Sequence, residues 1–187
     1  MMQPESPHGK WSTAEKGSKH MLRSLIVSLL LLVPRAGATA QSAPLTVFIV
    51  RHAEKGPENP DPSLTEAGRQ RATELARVLT GAHISAVFAS EFKRTQETVA
   101  PLAAQASLTP VVIPAGKTEE LVSRLRALPP GSRALVASHS NLVHLIVERL
   151  SWVKIPALTD LDYDRLVVVT VLGDGHGEAV VLRFGNR

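Results

Sequence analysis

Apolar positions along the chain follow two alternating repeats. Leu45-Thr46-Val47-Phe48-Ile49-Val50 is a short run rich in β-branched residues and reads as a buried strand. Gly56, Pro57, Pro60 and Pro62 then mark a loop. Beyond it the spacing becomes helical: Gly68, Ala72, Leu75, Ala76 and Leu79 share one face, with Arg69, Arg71, Glu74 and Arg77 off that stripe. Thr65 is the expected N-cap and Gly81 the expected stop. Residues 84–89 predict a second strand. Thr95, Val99, Leu102, Ala103 and Ala106 predict a second helix, with a kink or restart at Pro101. A strand over 110–113, a helix through Leu121, Val122, Leu125 and Leu128, a strand over 134–137 and an apolar helix over 141–150 follow. The chain closes with strands at 166–172 and 179–184, joined across Gly173-Asp174-Gly175-His176-Gly177.

Alternation of strand and helix four times over, then two strands, predicts an α/β fold. It is a three-layer αβα sandwich with a mainly parallel sheet and an antiparallel C-terminal edge. Ligands of such sheets gather beyond the carboxyl ends of the strands, so residues there are the first candidates for chemistry.

Composition narrows the function classes. With 187 residues and 44% hydrophobic content the chain can fill one core. It has no cysteine, which excludes a disulfide scaffold, a thiol nucleophile and a thiolate zinc site. The net charge of +4 is unevenly spread. Residues 1–40 carry five basic residues (Lys10, Lys16, Lys19, Arg23, Arg35) against Glu5 and Glu15, whereas 41–187 carry sixteen basic and fifteen acidic residues. A nearly neutral body argues against a general nucleic-acid binder.

Residues 1–40 read as an address. The nine-residue apolar run 25–33 follows Lys19 and Arg23 and precedes Ala38-Thr39-Ala40. That is the layout of a secretory signal peptide behind an N-terminal extension, with cleavage expected after Ala40 and a mature domain over 41–187. The run is short of the ~20 residues a membrane span needs, so no stable span is expected after cleavage. Met21 is a more natural start than Met1, because the first twenty residues are polar and patternless.

Three strand ends carry distinctive groups. The first strand runs into Arg51-His52-Ala53-Glu54-Lys55, the second into Ser90 with Arg94 just beyond, and the fourth into Ser138-His139-Ser140-Asn141. Guanidinium forks match phosphate oxygens and stay charged at neutral pH. Helix N-termini present free N–H groups to anions, and a neutral imidazole is a competent nucleophile. Together these point to a phosphoryl group. Elsewhere, His144 reads as a packing residue, His83 and His176 as solvated, and Trp152 as packing. Asp160, Asp162 and Asp164 lack the glycine and distal glutamate of a calcium loop.

These segments resemble the histidine phosphatase superfamily, the phosphoglycerate mutase-like or histidine acid phosphatase group, and in particular small exported bacterial members of branch 1. Arg51-His52-Ala53-Glu54 is similar to the family's Arg-His-Gly signature, with Ala53 in place of its usual glycine. Leu64-Thr65-Glu66-Ala67-Gly68-Arg69-Gln70-Arg71-Ala72, Ser90-Glu91-Phe92-Lys93-Arg94-Thr95-Gln96-Glu97-Thr98 and Ser138-His139-Ser140-Asn141 resemble three further family segments in the same order. The resemblance implies that His52 attacks phosphorus and becomes a transient phosphohistidine. It implies that Arg51, Arg94 and His139 bind the phosphoryl oxygens, and that Glu54, Ser90 and Asn141 contact substrate. Tyr163 is expected to wall the pocket.

No metal or other cofactor is implied, and the partner is a small phosphorylated substrate in the periplasm or outside the cell. Many members place an acidic proton donor near the end of the third strand, where this chain has Val111-Val112-Ile113-Pro114. Glu54, Glu119 and Glu120 are the candidates for that acid, and without one activated phosphates become better substrates than alkyl esters. Three other readings remain: a non-catalytic phosphate-binding protein on this fold, a phosphoglycerate mutase-type phosphotransferase, and a metal hydrolase using His52, Glu54 and His139. No recognised metal spacing supports the last.

Overall fold

The computed structural model describes residues 43–173 and 175–185. The apolar run 25–33 and the expected cleavage site after Ala40 lie outside the described residues. The first strand, β1 (Leu45–Arg51), is followed by α1 (Glu66–Val78), β2 (Ala86–Ala89), α2 (Lys93–Gln105) and β3 (Val111–Val112). Then come α3 (Thr118–Arg126), β4 (Arg133–Ser138), α4 (Ser140–Ser151), β5 (Arg165–Val171) and β6 (Gly177–Arg183). They form one six-stranded sheet in the order β3-β2-β4-β1-β5-β6. Pairing is parallel from β3 to β1 and antiparallel from β1 through β5 to β6, which is the mainly parallel sheet with an antiparallel edge that the pattern predicts.

Because side chains alternate along a strand, each central strand feeds two cores. Val47, Ile49, Val136, Val167 and Val169 pack with Leu125 of α3 and Val143, Ile146 and Leu150 of α4. Val50, Val87, Leu135, Ala137 and Leu166 pack with Leu75 of α1 and Val99 and Leu102 of α2. The near-continuous apolar sequence of β1 and β4 follows from burial on both faces.

Several boundaries differ from the sequence pattern. The second helix runs through Pro101 without a restart. Val99, Leu102 and Ala103, buried on either side of the proline, hold the helix on α1 and the sheet despite the missing N–H. The first helix stops at Val78, capped by Leu79, rather than at Gly81; Thr80–Ala82 continues as a 3-10 turn and His83 takes the left-handed conformation at φ 50°. The third strand shrinks to two exposed residues, because Pro110 and Pro114 flank it and neither can donate to a ladder.

One helix start bears directly on the chemistry. Thr65 caps α1 by accepting from Gly68 N–H (3.1 Å), and its own N–H donates to Glu54 O at 2.9 Å. The α1 backbone therefore lies against the segment leaving β1, and Gly68 is where it comes closest. A Cβ on Gly68 would stand 2.2 Å from Glu54 O, whereas one on Gly81 meets nothing within 4 Å. Gly68→Ala is expected to cost about 1–3 kcal/mol in urea unfolding, as overpacking does. Gly81→Ala should stay within about 1 kcal/mol of wild type. Equal stability of the two variants would contradict the close approach.

Candidate active site

The sheet order puts β2, β4 and β1 side by side, so their carboxyl ends form one rim. Arg51 pairs with Ser138, and Ala89 pairs with Ala137. The ladder continues one step further, since His52 N–H donates to Ser138 O at 2.9 Å. Residues far apart in sequence thus meet: the ring centroids of His52 and His139 are 5.5 Å apart.

His52 is buried, and its Nδ1 lies 2.8 Å from Ala53 O. A carbonyl oxygen can only accept, so Nδ1 carries the proton and Nε2 keeps its lone pair. Among the described residues Nε2 has no hydrogen-bond partner, and it is not sealed from solvent. The Ala53 backbone is held in turn: its N–H donates to Thr98 Oγ1 at 2.9 Å, and that hydroxyl donates to Arg94 O at 2.6 Å. The methyl of Ala53 is buried with Leu64 and Ala72, which accounts for a small residue at this position.

Two guanidiniums flank the imidazoles. Arg51 is buried; its Nη1 donates to Thr159 O (2.9 Å), its Nη2 to Tyr163 Oη (3.3 Å), and it lies over the Tyr163 ring at 4.1 Å. Asp160 pairs with it at 3.4 Å. Arg94 rises from the first turn of α2 and lies over Phe92 at 4.2 Å, with Asp61 at 3.7 Å. No side chain of its own segment caps α2; Asp61 does so instead, accepting from Lys93 N–H at 3.0 Å. Arg51 Nε and Arg94 Nε are both buried without a partner. Buried donors of this kind are rare in folded proteins and need an explanation.

His139 is the N-cap of α4 and is also buried. Its Nε2 lies 2.9 Å from Ser90 Oγ, which lies 2.9 Å from Thr95 Oγ1. Phe92 meets the His139 ring edge-on at 5.3 Å. Burial is the largest cause that lowers both imidazoles from 6.5 to about 4. Arg51 and Arg94 push the same way in each, while the Ala53 carbonyl opposes the shift in His52 and Glu91 opposes it in His139. Both rings are neutral at pH 7, and a neutral ring can be nucleophilic.

Arg51, His52, Arg94 and His139 are therefore brought together. Ser90, expected to touch substrate, is instead buried, with its hydroxyl taken up by His139 and Thr95. Asn141 is exposed in the first turn of α4. The acid candidates are engaged elsewhere: Glu54 is gripped by Arg71 through contacts of 2.7–3.0 Å, Glu119 pairs with Arg149, and Glu120 with Lys117 and Arg124. The sequence reading missed Asp61, Phe92, Thr95, Thr98 and Thr159, whose parts in the site come from contacts across the chain. Among the described residues, no group of three His, Asp or Glu is gathered to hold a metal ion.

A family model of the histidine phosphatase superfamily (branch 1) matches residues 47–119, which include Arg51, His52 and Arg94. Over that stretch the chain is similar to the histidine phosphatase superfamily. His139 lies beyond the matched stretch, and the fold brings it to the other three. Among solved structures, the chain is similar to the protein histidine phosphatase SixA determined with tungstate. The identity is 25%, with 74% of this chain and 96% of that one covered and a TM-score of 0.63. It shares its fold with the mycobacterial glucosyl-3-phosphoglycerate phosphatase (13% identity, 75% and 99% covered, TM-score 0.61). The same holds for the alpha-ribazole phosphatase of Shigella flexneri (16% identity, 76% and 99% covered, TM-score 0.59). No curated protein matches the sequence. No helix among the described residues is long and apolar enough to cross a membrane.

The histidine chemistry has a pH signature. Both folded-state values lie below the unfolded value, so the unfolded chain takes up these protons first. Their contribution to stability is whole above about pH 6.5 and is eroded as pH falls towards 4. The ring resonances of His52 and His139 should titrate near pH 4, with the urea midpoint falling between pH 6.5 and 4. Titration of either ring near 6.5 would contradict the buried, neutral assignment.

Proposed function

We propose that this protein is an exported phosphatase of the histidine phosphatase superfamily that works through a phosphohistidine on His52. The observation that carries the proposal is the pairing of a bare His52 Nε2 with two buried, unpartnered guanidinium Nε groups. In the first step the Nε2 lone pair attacks phosphorus, the bond to the leaving group breaks, and that group departs with the electron pair. Arg51 and Arg94 stabilise the charge spread over the equatorial oxygens. Water then attacks the phosphoenzyme, the P–N bond breaks, its electrons return to Nε2, and inorganic phosphate leaves with the water proton released to solvent. The tetrahedral oxyanion tungstate held by the similar SixA structure fits the same reading.

The substrates are activated phosphates such as phosphoramidates, acyl phosphates or pyrophosphates. Glu54, Glu119 and Glu120 make no hydrogen bond or ion pair with the four central residues, so a substrate that leaves without help from an acid is favoured. Similarity to a protein histidine phosphatase agrees with a phosphoramidate substrate. The charge and apolar pattern of residues 1–40 supports export.

A panel of phosphate monoesters and activated phosphates, assayed with and without chelator, tests this. We expect activated donors to turn over fastest, and acid quench to trap label on the wild-type protein. His52→Ala should lose about 10³-fold or more in rate, and Arg94→Ala about 10²–10³-fold. Equal rates for wild type and His52→Ala would remove the proposal, and phosphate binding with no trapped label would indicate a binding protein instead. N-terminal sequencing of the exported protein should begin at Gln41. A mature chain still carrying residues 25–33 would refute the signal peptide.

A further inference from the structure

The buried hydroxyls behind His139 determine which of its nitrogens carries the proton. Thr95 Oγ1 lies 2.8 Å from Phe92 O and 3.1 Å from Ser90 O. Both are carbonyls and can only accept, so the Thr95 hydrogen is committed to the backbone. Thr95 Oγ1 then has a lone pair for Ser90, and the Ser90 hydrogen points to Thr95 across 2.9 Å. Ser90 Oγ is left as the acceptor towards His139 Nε2 at 2.9 Å. Every oxygen and hydrogen in this chain is used once, and Ser90 and Thr95 are buried at 4% and 0% exposure, so water does not scramble it.

The geometry points to Ser90 and Thr95 as positioning residues that hold His139 as the Nε2–H tautomer, turning a bare Nδ1 towards the phosphoryl cup. Among the described residues His139 Nδ1 has no hydrogen-bond partner, and it is not sealed from solvent. The two imidazoles of the cup are thereby fixed as opposite tautomers. His52 keeps its proton on Nδ1, donating to the Ala53 carbonyl, and presents Nε2, while His139 keeps its proton on Nε2, donating to Ser90 Oγ, and presents Nδ1.

This inference rests on the phosphatase reading for its consequence. A lone pair aimed at the cup cannot donate to an oxyanion, so His139 first takes a proton. A substrate arriving as the monoanion can supply it: the P–OH bond to hydrogen breaks, an N–H bond forms on Nδ1, and the imidazolium donates back to the dianionic phosphoryl group. Arg94, Arg51 and Glu91 are the charged groups that act on the ring, with His52 beside it. The two arginines disfavour the extra proton until phosphoryl charge offsets them.

Long-range proton–nitrogen correlation spectra of the full chain at pH 7 read the tautomers directly, with His139 assigned by His139→Gln. Wild type is expected to show a protonated Nε2 and a bare Nδ1 on His139, and the reverse on His52. In Thr95→Val, a substitution of nearly equal volume, the Ser90 hydroxyl loses its acceptor and turns to donate to Nε2. The His139 proton is then expected on Nδ1, with kcat down about 10- to 100-fold, as for other imidazoles that lose an orienting partner. Thr95→Ser keeps the hydroxyl and should restore both the wild-type pattern and the rate. Unchanged His52 signals in Thr95→Val establish that the variant is folded. A wild-type His139 protonated on Nδ1, or a Thr95→Val variant that keeps the wild-type tautomer, would overturn the assignment. The expected ring pattern in a protein without turnover would uphold the tautomers and sink the phosphatase reading.

Discussion

The hydrogen bond from His52 Nδ1 to the carbonyl of the next residue is the contact on which the site depends. It spans 2.8 Å within two residues, yet it works only because the surrounding structure holds that carbonyl still. Ala53 N–H is tied to Thr98 of α2, and Glu54 O is tied to Thr65 at the start of α1. Two helices from one layer thus grip the two residues that follow His52. An imidazole on a mobile loop would exchange tautomers and sample many orientations. Here burial and a fixed acceptor leave Nε2 with its lone pair free.

Charge in the site is balanced from the outside. Arg51 and Arg94 project into the rim, and each meets one carboxylate at its outer edge, Asp160 and Asp61 respectively. The ring faces of Tyr163 and Phe92 support the two guanidiniums. What remains unsatisfied is inside: a buried Nε on each arginine. Leaving such donors open costs stability, and the cost is recovered only when an acceptor enters.

The four central residues were legible because their surroundings are local. Arg51 and His52 end a strand of unmistakable pattern, Arg94 opens a helix, and His139 sits between a strand and a helix. Ser90 is expected at the substrate because it too ends a strand. Its hydroxyl turns into the protein, and no periodicity reports which way a serine points. Glu54 is a candidate acid in the sequence because it lies two residues beyond His52, but its direction depends on Arg71, seventeen residues on. Asp61 lies in a loop with no pattern at all, and its contact with Lys93 and Arg94 exists only once β1 and β2 share a sheet.

Strand and helix order, the double-sided burial of β1 and β4, and the residue types at each strand end follow from the sequence alone, because they depend on spacing within one element. The tertiary structure decided which side chains face inward, which nitrogen of each imidazole is free, and which carboxylates meet the arginines. Those outcomes depend on hydrogen-bond partners tens of residues away, and a partner's position is set by sheet order and register rather than by any neighbour in the chain.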